Sequence, residues 1–186
     1  AVLGDAIGGS LADQLFERSG GNPLFLTQLA EVARDHPGDE ALPGSLRAII
    51  AARLDVLPSR QRLVVDNAAV LGATGPTGAL ERFARELDQP YDLSDFDALV
   101  EAGLLDVEDG WWSFRSDVVR EVEYQTLTKS SRAQRHAGVA AVMLDFGLAP
   151  IDQVAHHTAA AAELTAEIGP VDGVLDNVRP KAIELL

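Results

Sequence analysis

Apolar residues recur at helical spacing along almost the whole chain, and the period changes clearly once, near residues 104–115. A helical face repeats every 3.6 residues and a strand face every two, so this one switch limits the fold more than any other feature. Before it, Leu46, Ile49, Ile50, Leu54 and Leu57 share one helical face that Pro58 stops. Ser59 is the expected cap of the next helix, with Leu63, Val64, Ala68 and Leu71 inward and Gly72 at its end. Gly75-Pro76 reads as a break. Leu80, Phe83, Ala84 and Leu87 stripe a further helix. Ser94 and Asp97 read as a capping-box-like pair before a buried face of Phe96, Leu99 and Val100, which ends at Gly103. Leu105 and Val107 then alternate with polar residues, Asp109-Gly110 signals a tight turn, and Trp112 and Phe114 alternate on the return. The spacing predicts a β-hairpin over 104–115. Helices followed by a hairpin in this order predict a winged helix.

Both flanks read as helical. Residues 11–18 form a short helix ending at Gly20-Gly21, a C-terminal breaker. Asn22 is a good N-cap and Pro23 a good first helical residue, with Phe25, Leu29 and Val32 following at helical spacing. His36-Pro37-Gly38-Asp39 reads as a loop and hinge. Beyond the hairpin, Ser116 is placed to cap a helix carrying Val118, Val119, Val122 and Leu127. Another helix runs from about 131 to 146, rich in alanine at 133, 137, 140 and 141. Pro150 opens a third through His156 and Ala162. Alanine faces at this spacing suggest closely packed helix pairs, as in a tetratricopeptide-like array. The tail from Gly169 carries two prolines and only a weak pattern.

Composition removes several chemistries. The 186 residues suffice for one full domain plus a satellite, and they include no cysteine, so disulfides, thiolate zinc sites and cysteine nucleophiles are excluded. The four histidines, His36, His136, His156 and His157, lack the i, i+4 spacing of a helical zinc site and read as core or surface residues. There is no Gly-x-Ser-x-Gly, no His-Glu-x-x-His and no Gly-x-x-x-x-Gly-Lys-Ser/Thr loop, so no catalytic residue is assigned. No apolar run approaches a membrane span, and the first residues lack both Met and the basic region of a signal peptide. A cytoplasmic location and a cut piece of a longer chain are the expectations.

Charge bears on nucleic acid. The net charge is −14, and residues 86–114, which include the would-be reading helix at 94–102 and the hairpin, contain no Lys or Arg. Phosphate and base-edge contacts need cations and amides, so direct DNA binding is not expected. Asp95 and Asp97 read as part of a solvated face. A modest basic cluster, Arg115, Arg120, Lys129, Arg132 and Arg135, is interleaved with Asp117, Glu121 and Glu123. Local helical ion pairs are the expected use of these cations; an anion-facing patch beside the helix start at Ser116 is the other.

Several of these segments carry a resemblance. Arg18-Ser19-Gly20-Gly21-Asn22-Pro23-Leu24-Phe25-Leu26 with Leu29, Leu42-Pro43-Gly44-Ser45-Leu46 through Arg53-Leu54-Asp55-Val56-Leu57-Pro58, Ala68-Ala69-Val70-Leu71-Gly72, Ala102-Gly103-Leu104-Leu105, Arg120-Glu121-Val122-x-Tyr124 and Arg135-His136 cover about residues 10–145. Together they resemble the signal-transduction ATPases with numerous domains, an AAA+-like group, and especially bacterial members joined to adenylate cyclase domains or LuxR-type regulators. The resemblance implies a mostly α chain: a partial helical lid over 1–38, a winged-helix domain over 42–128, and a helical linker with the start of tetratricopeptide-like repeats over 129–186. It implies that Pro23, with Asn22 beside it, lines an adenine pocket. Ser116 and Asp117 would fall on the Met-His-Asp-like element, whose histidine contacts the ADP β-phosphate; here serine stands in the histidine position. Helix capping is the alternative role for Ser116-Asp117. ATP or ADP would then sit in an upstream core of the parent, with no cofactor held by this stretch alone. The implied partners are that core and the downstream repeats, and the implied role is regulatory coupling. The alternatives are a DNA-binding winged-helix regulator, or a helical interaction scaffold built on Trp111, Trp112 and the alanine-rich helices.

Overall fold

A computed structural model describes residues 9–35, 42–146 and 150–171. His36 and the hinge expected at 36–39 lie outside them, as does the tail beyond Val171. The described residues form α1 (Gly9–Ser19), α2 (Pro23–Asp35), α3 (Gly44–Asp55), α4 (Ser59–Leu71), β1 (Thr74–Pro76), α5 (Thr77–Glu86), α6 (Leu93–Glu101), β2 (Leu105–Glu108), β3 (Trp111–Phe114), α7 (Asp117–Thr126), α8 (Lys129–Phe146) and α9 (Ile151–Ile168). The described residues are mostly helical, with one small antiparallel sheet of order β1-β3-β2.

The expected hairpin is present as β2 and β3, with Leu105 opposite Phe114 and Val107 opposite Trp112. The third strand, β1, falls where Gly75-Pro76 predicts a break. β1 pairs Gly75 with Trp112 and Pro76 with Trp111. Proline is tolerated there because β1 is an edge strand. Gly75 lies close under the indole: a Cβ there would sit 3.3 Å from the Trp112 ring nitrogen, a tight contact.

α4 is the central helix. It packs against α5, α6, α7, α8 and β1, and buries Val64, Val65, Asn67, Ala68, Ala69 and Val70. A helix buried on several sides shows no clean stripe, which is why Val65 was not expected inside and Leu63 is only half-buried. Around it lie Leu46, Ile50 and Leu54 of α3, Leu80 and Phe83 of α5, Phe96 and Leu99 of α6, and Trp112 of β3. Ile49, expected inward, is exposed. α8 joins the same core through Val139, and its Gly138 would place a Cβ 3.1 Å from the Phe83 ring and 3.2 Å from Leu87. Its other side packs on α9 through Ala133, Ala137 and Ala161. The alanine-rich faces of α8 and α9 thus pack closely, as their spacing predicts.

Three cap expectations need correction. Pro58, with ψ 145°, is the N-cap of α4, and Ser59 is its first helical residue. The capping box of α6 is Asp92 with Asp95, two residues earlier than the expected Ser94 and Asp97. The Asp92 N–H donates to Asp95 Oδ2 at 3.1 Å. Ser116 occupies the N-cap position of α7, but its side chain makes no cap hydrogen bond.

Candidate functional site at the α1–α7 junction

The turn between α1 and α2 is built by two left-handed glycines, Gly20 (φ 60°) and Gly21 (φ 70°). Their N–H groups donate to the carbonyls of Glu17 and Phe16, closing the end of α1. Asn22 caps α2 as expected, its Oδ1 accepting from the N–H of Leu24 at 3.0 Å and of Phe25 at 3.4 Å. Pro23 follows as the first helical residue and is exposed.

This turn is pressed against the start of α7. A Cβ at Gly20 would overlap the Arg115 carbonyl oxygen. Ser116 Oγ donates to the Arg18 carbonyl at 2.8 Å, across 98 residues of sequence. Arg18 Nη2 reaches Glu121 Oε2 at 3.1 Å, and the buried Ser19 hydroxyl donates to the Phe16 carbonyl at 2.8 Å. The neutral bond from Ser116 contributes about 1 kcal/mol, and the partly exposed ion pair less than about 1 kcal/mol. The two elements that carry the resemblance thus meet in space.

The four expected site residues differ in availability. Ser116 is buried and its hydroxyl proton is committed to α1, so in this arrangement it donates to a backbone carbonyl; this corrects its expected capping of α7. Asn22 is committed to the α2 amides. Asp117 is exposed in the first turn of α7, where a carboxylate suits the helix dipole. Pro23 presents a free apolar surface.

A second polar site was not found in the sequence. Arg62 of α4 bonds Asp66 Oδ1 at 3.1 Å, Asp55 Oδ1 at 3.2 Å and Glu123 Oε1 at 3.0 Å. Arg135 of α8 bonds Asn67 Oδ1 at 2.9 Å and Asp66 Oδ2 at 3.3 Å. Glu123 is wholly buried, and its Oε2 accepts from no donor among the described residues. Burial, then the neighbouring Asp66 carboxylate, push Glu123 up to about 8 against the opposing Arg62. A neutral Glu123 leaves two guanidiniums facing two carboxylates, Asp55 and Asp66. The signals available were the i, i+4 pair Arg62–Asp66 and a glutamate next to the apolar stripe of α7.

The basic cluster finds its partners across the fold and through few of the expected local pairs. Arg115 pairs with Asp106 at 2.6 Å, Lys129 with Glu167, and Arg135 with Asp66, while Arg132 lies 5.1 Å over the Tyr124 ring. His136 and His157 are buried and His156 is exposed. No group of three or more His, Cys, Asp or Glu among the described residues is arranged to hold a metal ion.

No family model, curated protein or solved structure matches the chain. The assignment of its chemistry therefore rests on geometry and charge. No helix among the described residues is long and apolar enough to cross a membrane.

The α6–hairpin face remains acidic in three dimensions. Arg60 reaches in from α4, but it pairs with both Asp92 and Asp95, and Arg53 donates to the Ala102 carbonyl at the end of α6. Asp95, expected on a solvated face, is a half-buried member of the cap. Asp97, Glu101, Glu108 and Asp109 stay exposed. The chain is expected not to bind duplex DNA at about 150 mM salt, since even non-specific binders reach about 10⁻⁴–10⁻⁶ M by neutralising phosphates. An anisotropy change on titrating labelled duplex to micromolar protein contradicts this.

Proposed function

We propose that this chain is a regulatory piece of a multidomain signalling ATPase. In this reading α1 and α2 belong to a helical lid, residues 42–128 form a winged helix, and α8 and α9 open a helical repeat array. The winged-helix reading is supported by the sheet order β1-β3-β2 with its β2–β3 hairpin following α6. The observation that carries the functional reading is the junction itself. The Gly-Gly-Asn-Pro turn and the start of α7 are in contact through Gly20, Arg115 and the Ser116–Arg18 bond. A nucleotide bound by an upstream core would be sensed where these two elements meet. Pro23 and Asn22 would face the adenine, and Asp117 the phosphate end.

Serine in the histidine position sets the character of the proposed switch. Its hydroxyl has one proton, and that proton is donated to the Arg18 carbonyl. To donate to a phosphate, Ser116 would have to leave α1, so nucleotide contact and lid docking would compete for one hydroxyl proton. The chain alone should not hydrolyse ATP, because it has no loop to cradle phosphates.

The test has two arms. The coding sequence immediately upstream is expected to contain a Gly-x-x-x-x-Gly-Lys-Ser/Thr loop, and a chain extended through it is expected to bind ADP. An upstream region without such a loop, or phosphate release by the purified 186-residue chain that a point substitution within it abolishes, overturns the reading.

A further inference from the structure

α9 packs chiefly on α8, and the contact is made largely of alanine. Small side chains bury little area each, so the apolar attraction is modest. Within this contact His136 Nδ1 and His157 Nδ1 face each other at 2.8 Å. His136 Nε2 meets the Tyr124 hydroxyl of α7 at 2.9 Å. A hydrogen bond between two facing nitrogens needs one donor and one acceptor, so it requires at least one neutral ring. When Tyr124 donates to His136 Nε2, His136 donates from Nδ1 and His157 accepts. Protonating both rings puts a hydrogen on each facing nitrogen.

The surroundings offer such charges nothing. His156 lies 6.1 Å from His136 and 5.2 Å from His157 between ring centroids. Arg132 of α8 adds a fixed positive charge beside His136, and no carboxylate among the described residues acts on either ring. The Lys129–Glu167 pair joins the far ends of the two helices in an exposed position. The pair of Asp66 with Arg135 holds α8 on α4.

We propose that the His136–His157 contact is a proton-sensitive latch, and that acid releases α9 from a body that stays folded.

Burial first, then the neighbouring histidines and, for His136, Arg132, lower His136 to about 3 and His157 to about 4. A released imidazole titrates near the ordinary value of about 6.5. The docked state therefore keeps its full advantage above about pH 6.5 and loses it as pH falls toward 4, where the docked ring itself takes up a proton. At pH 5 the opening equilibrium rises about thirtyfold for freeing His157 alone. The body responds in the opposite sense. Glu123, raised to about 8, makes it more stable as pH falls from 8 toward 4.5.

Hydrogen–deuterium exchange at pH 7 and pH 5, corrected for intrinsic rates, tests this on the chain as it stands. Protection in α9 is expected to fall by about ten- to hundredfold while that of α4 is retained. His157→Asn keeps a hydrogen-bonding group without a titrating one, and its α9 should loosen less in acid. Acid-independent protection of α9 in the wild type, loss of α4 and α9 protection together, or acid loosening undiminished in His157→Asn each overturns the latch.

Discussion

Gly20→Ala is expected to detach α1 and α2 from α7 while the remainder stays folded. Two costs combine at this position. The left-handed backbone at φ 60° costs an alanine roughly 1–2 kcal/mol. The added Cβ also overlaps the Arg115 carbonyl oxygen, which belongs to the backbone and cannot rotate aside. Relief requires the helices to separate, and that breaks the Ser116–Arg18 bond and the Arg18–Glu121 pair. The docking of α1 should weaken by about 2–4 kcal/mol in all, read as lost amide protection in α1 with α4 unchanged. Gly21→Ala is the control. Its φ is 70°, but its Cβ would lie 3.4 Å from the Phe16 ring, an ordinary contact. It should show the backbone cost alone. Equal behaviour of the two variants would show that strain, and not close approach, makes Gly20 necessary.

Glu123→Gln is expected to stabilise the protein at neutral pH, and increasingly so toward pH 8. The buried glutamate is held up to about 8, whereas it ionises near 4.5 when unfolded. Its contribution to wild-type stability therefore falls as pH rises from 4.5 to 8 and levels off beyond. A glutamine resembles the protonated acid: its amide can donate toward Asp66 and its carbonyl accept from Arg62. It avoids the cost of keeping a carboxyl neutral, about 1–3 kcal/mol at pH 7. Comparing the two proteins at each pH cancels the opposing contribution of the histidines. Glu123→Ala should instead destabilise by about 1–3 kcal/mol, since it removes the buried acceptor of an Arg62 hydrogen bond. Urea unfolding at pH 5 and pH 8 measures all three. A Glu123→Gln variant destabilised by about 2 kcal/mol or more at both pH values would show a charged glutamate paired with Arg62.

Elements with one buried face were legible in the sequence, and so was the corner at Asn22-Pro23, because those signals are local. The α6 cap slipped by two residues because Asp92, Ser94, Asp95 and Asp97 are all acceptable there. What decides is the burial of Phe96 and Leu99 while Leu93 remains outside. Ser116 looked like a cap because serine before an acidic first turn usually is one. Its hydroxyl was claimed instead by a carbonyl 98 residues away. β1 was hidden because Gly75 and Pro76 are there for the indole and the sheet edge, neither of which is visible locally. The expected site residues were brought to one junction, while the pairing of Arg62, Asp66, Glu123 and Arg135 needed the packing of α4, α7 and α8 to appear.

The placement of α8 bears on how this chain can change over evolutionary time. From Ser131 to Leu144 only Gln134 is exposed. One flank carries Gly138 against Phe83, with Arg135 on Asn67; the other carries Ala137 and His136 against α9. A substitution that enlarges either flank shifts an axis about 27 Å long, and the shift is felt by neighbours that never touch the altered residue. Tolerated changes in α8 must therefore come as matched sets from both flanks, so this helix should diverge more slowly than the exposed α1 and the outer face of α9.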